Sequence, residues 1–146
     1  MLMMKWRMTM LTTLSKDSVP ITREQDVVPF RNRVKEVALK IGMGVVNQTK
    51  LITAASELVR NMLRYAGGGE VRIEVVSTGR ETGVRLTFSD KGPGIADINL
   101  AMQDGYSTGK SLGLGLPGAK RLASEFDIKS TVGQGTTVTI IKWKNG

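Results

Sequence analysis

Apolar residues recur at intervals of three and four through two long stretches of the chain and alternate with polar ones through several shorter stretches, a contrast that separates helices from strands. Val27, Phe30, Val34, Val37, Ala38 and Ile41 line one face of a first helix, which Gly42-Met43-Gly44 ends. Thr22 and Gln25 have capping-box spacing ahead of it, and Pro29 marks either a kink or a start close by. The clearest helix runs from Asn47 to Tyr65. Leu51, Ala55, Leu58, Met62 and Tyr65 share its inner face, and Gly67-Gly68-Gly69 stops it. Val71, Ile73 and Val75 alternate through a strand over 70–77. A turn at 78–83 leads to a second strand, Val84 to Phe88, and the two predict a hairpin. Residues 17–21 predict a short first strand and 96–102 a short helical segment. Ala119, Leu122, Ala123 and Phe126 predict the inner face of a helix that runs to Phe126, with Pro117 as its first residue. Strands over 127–132 and 136–143, joined by Gly133-Gln134-Gly135, finish the chain.

Composition narrows this picture. A chain of 146 residues without repeats or linkers predicts one domain, over 16–146. Residues 1–15 are rich in Met, with Lys5 and Arg7, and lack the apolar core and cleavage site of a signal peptide; a flexible extension is expected there. No apolar run approaches a membrane span, so the expected location is the cytoplasm. The chain contains neither cysteine nor histidine. Disulfides, thiolate nucleophiles, imidazole bases and phosphohistidine are excluded, and acid/base work falls to Asp, Glu, Lys or Tyr. The net charge is +8, but Lys and Arg are scattered and aromatic residues make up only 5%. That balance suits an acidic protein surface or a nucleotide phosphate better than a nucleic acid.

Four segments carry candidate chemistry. Asp90-Lys91-Gly92-Pro93-Gly94 follows a strand directly. Its glycines permit positive φ and close approach, and Pro93 stiffens the turn, so a carboxylate stands beside bare backbone: a shelf for a flat heterocycle, or an ordinary turn. Glu57 and Asn61, four residues apart on the long helix, project from one side at the edge of its apolar stripe. A carboxylate beside an amide oxygen suits Mg²⁺ and a hydroxyl, or is a solvated pair. The Gly113–Gly118 run, with Leu114 and Gly115 inside it, precedes a helix and would offer backbone N–H groups to an anion. Upstream, Gly105-Tyr106-Ser107-Thr108-Gly109-Lys110-Ser111 imitates a P-loop but places three residues between its glycines where four are needed. It is rejected as one; Lys110 either screens phosphate from a lid over 103–112 or is a solvated loop lysine. Gly135-Thr136-Thr137 enters the last strand and brings hydroxyls to the set.

The order Glu-x-x-x-Asn, Asp-x-Gly-x-Gly, a glycine cluster opening a helix, then Gly-Thr-Thr resembles the ATP-binding module of the GHKL, or Bergerat-fold, superfamily over roughly residues 17–143. The resemblance implies an α+β two-layer sandwich: a mixed, mostly antiparallel sheet covered on one face by about three helices. The runs Ala101–Thr108, Gly113–Leu122 and Glu125–Ile128 are similar to the RsbT-type serine/threonine protein kinases of partner-switching modules and stressosomes. That similarity implies ATP and Mg²⁺ as cofactors, a STAS-domain protein as substrate, and a downstream regulator or phosphatase reached by partner exchange, with no nucleic acid or membrane partner. It implies that Asp90 accepts from the adenine amine, that Gly92 and Gly94 shape the shelf and Gly94 lies against the base, and that Thr136 or Thr137 helps hold it. Asn61 would ligate Mg²⁺, and Glu57 would orient or deprotonate the attacking hydroxyl. Gly113, Leu114, Gly115 and Gly118, with Lys110, would meet the phosphates. The alternative is a nucleotide-dependent anti-sigma or regulator-sequestering protein with little turnover. A detached histidine-kinase catalytic domain and a DNA-binding domain fit less well.

Overall fold

A computed structural model describes residues 11–103 and 115–146. The long helix forms as its periodicity predicts: α2 (Val45–Ala66) buries Leu51, Ala55, Leu58 and Met62 and ends at Gly67, whose φ of 75° closes a left-handed cap. The Gly67 and Gly68 N–H groups donate to the Leu63 and Met62 carbonyls, which completes the stop. Helix α1 (Val27–Lys40) buries Val27, Phe30, Val34 and Ala38, and Pro29 falls in its first turn, where a missing N–H costs nothing.

Both helices lie on one face of a five-stranded sheet of order β1-β2-β3-β5-β4. The strands are β1 (Thr12–Ile21), β2 (Gly69–Ser77), β3 (Thr82–Ser89), β4 (Glu125–Thr131) and β5 (Gly135–Trp143). Every pairing is antiparallel. The expectation of a mostly antiparallel sheet thus holds throughout, with no parallel pair among the described residues. Val71, Ile73, Val84, Leu86, Phe88, Val138 and Ile140 meet the helices in one core, and Phe30 of α1 packs edge-on against Phe88 with centroids 6.1 Å apart. Two shorter helices, α3 (Ile98–Ala101) and α4 (Gly115–Leu122), complete the layer, and α4 packs along α2. The architecture is the expected α+β two-layer sandwich. Among the described residues no helix is long and apolar enough to cross a membrane.

Four local expectations change. Strand β1 begins at Thr12, so 12–15 belong to the sheet and not to an extension; a register shift between Thr13 and Ser15 breaks the alternation that would have revealed them. The first helix is entered through a 3₁₀ turn (Glu24–Asp26), and Asp26, not Gln25, caps it: its Oδ2 accepts from Thr22 N–H, Thr22 Oγ1 and Arg23 N–H. Those bonds, Thr22 first, hold the Asp26 carboxyl below its ordinary range. Phe126 is a β4 residue paired with Ile140, and α4 stops at Leu122. A core-facing strand residue had coincided with the helical spacing. Tyr65 is 55% exposed, since the last turn of α2 overhangs the loop after β3.

Candidate functional site

The site forms where the C-terminal ends of β3 and α2 meet the start of β5. Asp90 follows β3 directly, and its N–H donates to the Thr136 carbonyl oxygen at 3.0 Å. Its Oδ1 accepts from Gly92 N–H (2.9 Å) and from Thr136 N–H (3.2 Å). One carboxylate oxygen is thereby fixed by backbone donors, while Oδ2 accepts from none of the described residues. The glycines are needed for contacts within the protein as well as for any ligand. A Cβ on Gly94 (φ 79°) would overlap the Thr131 carbonyl, one on Gly135 (φ 131°) the Asp90 carbonyl, and one on Gly92 the Ala66 side chain. Two hairpins and a helix end approach so closely that only hydrogen fits between them.

Beside this junction lies a cavity of about 510 Å³. Leu58, Met62, Phe88 and Val138 give it an apolar lining, and Asn61, Asp90, Gly94 and Thr136 supply its polar edge. Its size and its few convergent polar groups are those of a small-molecule site. Thr136 and Val138 both line it, so by strand alternation Thr137 faces the opposite side of the sheet. Gly92 stands behind the wall, against α2. Glu57, one turn before Asn61, is half-buried and outside the cavity lining. Its Oε2 accepts from Gly115 N–H at 3.4 Å, so a carboxylate now occupies the N-terminal end of α4. Gly115 (φ 64°) and Gly118 are both buried in α4. Lys110, Gly113, Leu114, the P-loop-like stretch and nearly all of the lid expected over 103–112 lie outside the described residues.

The donor set also bears on Mg²⁺. Among the described residues no three acidic side chains gather to cage a metal. Asn61 presents an amide that bonds to no described residue. One protein oxygen supplemented by phosphate and water fits Mg²⁺, which keeps much of its hydration.

Two contributors escape a reading of the sequence. Leu100 and Ala101 of α3 form part of the wall, held by Asp97, whose Oδ1 accepts from Leu100 N–H at 3.0 Å. Ser130 on β4 sits 2.7 Å from Thr136 Oγ1 and takes the Ile95 N–H at 2.7 Å. A serine in a strand carries no signal of its own; only the Ser130–Thr136 register brings it to the site.

Comparison with known proteins agrees with this arrangement. Residues 46–145 match the family described as histidine kinase-, DNA gyrase B- and HSP90-like ATPases. The chain is 46% identical over 125 residues to serine/threonine-protein kinase RsbT of Bacillus subtilis, covering 86% of this chain and 94% of that one. It is 32% identical to the anti-sigma F factor of Pasteuria penetrans, over 64% of this chain and 67% of the relative. Among solved structures, that of the RsbU and RsbW domains of Rv1364c from Mycobacterium tuberculosis superposes with a TM-score of 0.62 at 21% identity, over 88% of this chain and 32% of that one. This last likeness concerns the fold alone. With four boxes in order, each contributing at least one residue to the lining of one cavity, the chain belongs to the histidine kinase-, DNA gyrase B- and HSP90-like ATPases and, within them, to the RsbT-type serine/threonine protein kinases.

Proposed function

We propose that this chain is an Mg-ATP-dependent kinase that phosphorylates a serine or threonine of a STAS-domain partner in the cytoplasm and regulates signalling by exchanging that partner for a downstream regulator or phosphatase. The observation that carries this reading is the common cavity: Asn61 from α2, Asp90 from the loop after β3 and Thr136 from β5 reach one apolar-lined space. The name of the RsbT relative supports the reaction type.

In this reading Asp90 Oδ2 accepts from the adenine amine, Gly94 lies beside the base, and Thr136, not Thr137, completes the edge. Gly92 acts by fixing Asp90 Oδ1. Asn61 would hold Mg²⁺ together with phosphate oxygens and water; the ion, when bound, neutralises charge on the transferring group. The α4 end, with Gly115 and Gly118, receives the phosphates, together with Lys110, Gly113 and Leu114 of the segment that precedes it in sequence. A phosphate that takes the Gly115 N–H releases Glu57 from its present bond. Glu57 then orients the acceptor hydroxyl and takes its proton as the oxygen attacks the γ-phosphorus and ADP departs in line. Positioning and charge neutralisation supply most of the acceleration, and proton acceptance adds about 10²–10⁴-fold.

The test is calorimetric titration with Mg-ATP and ADP, followed by transfer of label from γ-labelled ATP to STAS-domain proteins. Glu57→Ala should keep its nucleotide affinity and lose transfer by at least about 10²-fold. Asp90→Asn should weaken binding itself by about 10–100-fold, the loss of a charged hydrogen bond. ATP binding without label on any STAS protein of a broad panel would overturn the kinase reading. It would leave a regulator-sequestering switch, the alternative that the anti-sigma F factor relatives favour.

A further inference from the structure

Helix α1 carries a second stripe besides the one that faces the core. Val28, Asn32, Lys35 and Leu39 follow one another at spacings of four, three and four, so they share one side of the helix. Val45, Thr49 and Ile52 repeat that spacing in the first half of α2. The two rows border one groove of about 640 Å³, which Arg31 and Gln48 also line. It shares no lining residue with the cavity beside Asp90, whose α2 residues begin at Leu58. Its apolar residues are open to water: Val28 is 58%, Leu39 54% and Val45 77% exposed. Single apolar residues scattered on a surface mean little, but three around one concavity mark a contact surface.

The polar groups of the groove are cationic or neutral. Gln48 and Thr49 are satisfied locally: Gln48 Nε2 donates to the Met43 carbonyl at 2.7 Å, and Thr49 Oγ1 to the Val45 carbonyl at 2.9 Å. Arg31, Asn32 and Lys35 bond to no described residue, and Arg31 Nε is buried without an acceptor. Helix α1 has one carboxylate, Glu36, which pairs with Arg33 at 3.5 Å and does not line the groove; α2 has none before Glu57. A buried guanidinium donor destabilises the fold until it meets an acceptor, and a carboxylate matches its fork. Two cations framed by exposed apolar side chains therefore complement a surface that is both acidic and apolar. A second copy of this chain suits the groove poorly, since at a net charge of +8 it brings the same sign of charge.

We propose that the α1–α2 groove docks an acidic, apolar helical segment of a protein partner, with Arg31 taking a partner carboxylate and Val28, Leu39 and Val45 meeting its apolar side chains. The experiment is fluorescence anisotropy of the full chain with three probes: a labelled helical peptide that repeats Leu and Glu along one face, the same peptide with Gln for Glu, and vesicles of phosphatidylserine. The wild type binds the acidic peptide about 10–100-fold more tightly than the Gln peptide, the worth of a charged hydrogen bond, and Arg31→Gln removes most of that preference. Leu39→Asp, at an exposed position that folding tolerates, weakens the acidic peptide by a similar factor. Both variants keep the wild-type affinity for Mg-ADP, since the groove and the cavity share no residue. No binding of the acidic peptide, equal binding of the two peptides, or an Arg31→Gln variant that behaves as wild type would each overturn the inference. Capture of the vesicles in place of the peptide would assign the groove to a membrane surface and overturn it as well. The kinase reading stands or falls separately. Label transfer to a STAS-domain protein with its KM unchanged in Arg31→Gln would keep the kinase and sink the groove as its docking surface. Peptide binding as described, with no STAS-domain protein labelled, would do the reverse.

Discussion

Lys142 shows how far a single side chain can sit from its ordinary chemistry. It lies on β5 with 4% of its surface exposed, and burial, then the nearby Lys50 charge, holds its pKa below 10.5. Between the lowered folded value and 10.5 the unfolded chain binds more protons than the folded one. Stability therefore rises with pH across that window, and below it the folded protein carries a constant penalty for a buried charge. Lys142→Met should raise the melting temperature at neutral pH, by about 2–4 °C for each kcal/mol recovered, and should remove the alkaline rise. Melting curves collected from pH 7 to 10.5 check both effects. Glu74 is the counter-case: equally buried, it is matched by Arg85, with Nε 2.9 Å from Oε1 across the β2–β3 pair.

At the scale of elements, the site depends on how tightly the β4–β5 hairpin presses on the loop after β3. Gly133 N–H donates to the Pro93 carbonyl at 2.8 Å, and Gly135 lies directly against the Asp90 carbonyl. Gly135→Ala adds a side chain at φ 131° and forces those backbones apart. It should cost more than the roughly 1–3 kcal/mol of backbone strain alone and should abolish nucleotide binding. Gly133→Ala is the control, with φ 80° but open space around its Cβ position. It should cost only about 1–2 kcal/mol and leave affinity near wild type. Urea denaturation paired with calorimetry separates the two variants.

At the scale of the whole molecule, the cavity joins α2, the end of β3 and the start of β5, which are distant in sequence, so occupancy should tie together parts that otherwise share only the core. ADP at one hundred times its Kd should stabilise the fold by about 2.7 kcal/mol, or roughly 5–10 °C in melting temperature for a chain of this length. The same addition should stabilise Asp90→Asn by only about 0.4–1.4 kcal/mol, since a Kd weakened 10–100-fold lies much closer to the ligand concentration. Thermal melts with and without ADP read the difference.

The sequence by itself determined the long helix, the β2–β3 hairpin and the four boxes, since hydrophobic period, glycine stops and spacing are local properties written in consecutive residues. It also determined that Asp90 follows a strand and that Glu57 and Asn61 share one side of a helix. Only the tertiary structure decided what depends on register and approach. Strand alternation in β5 turned Thr136 inward and Thr137 away, a choice that neighbouring threonines cannot reveal. Cross-strand pairing brought Ser130 to Thr136, and chain reversal after Leu122 placed Phe126 in a strand although its spacing imitated a helix. The glycines were legible as glycines, but the backbones that crowd them come from segments up to tens of residues away, and proximity of that kind exists only once the sheet has formed.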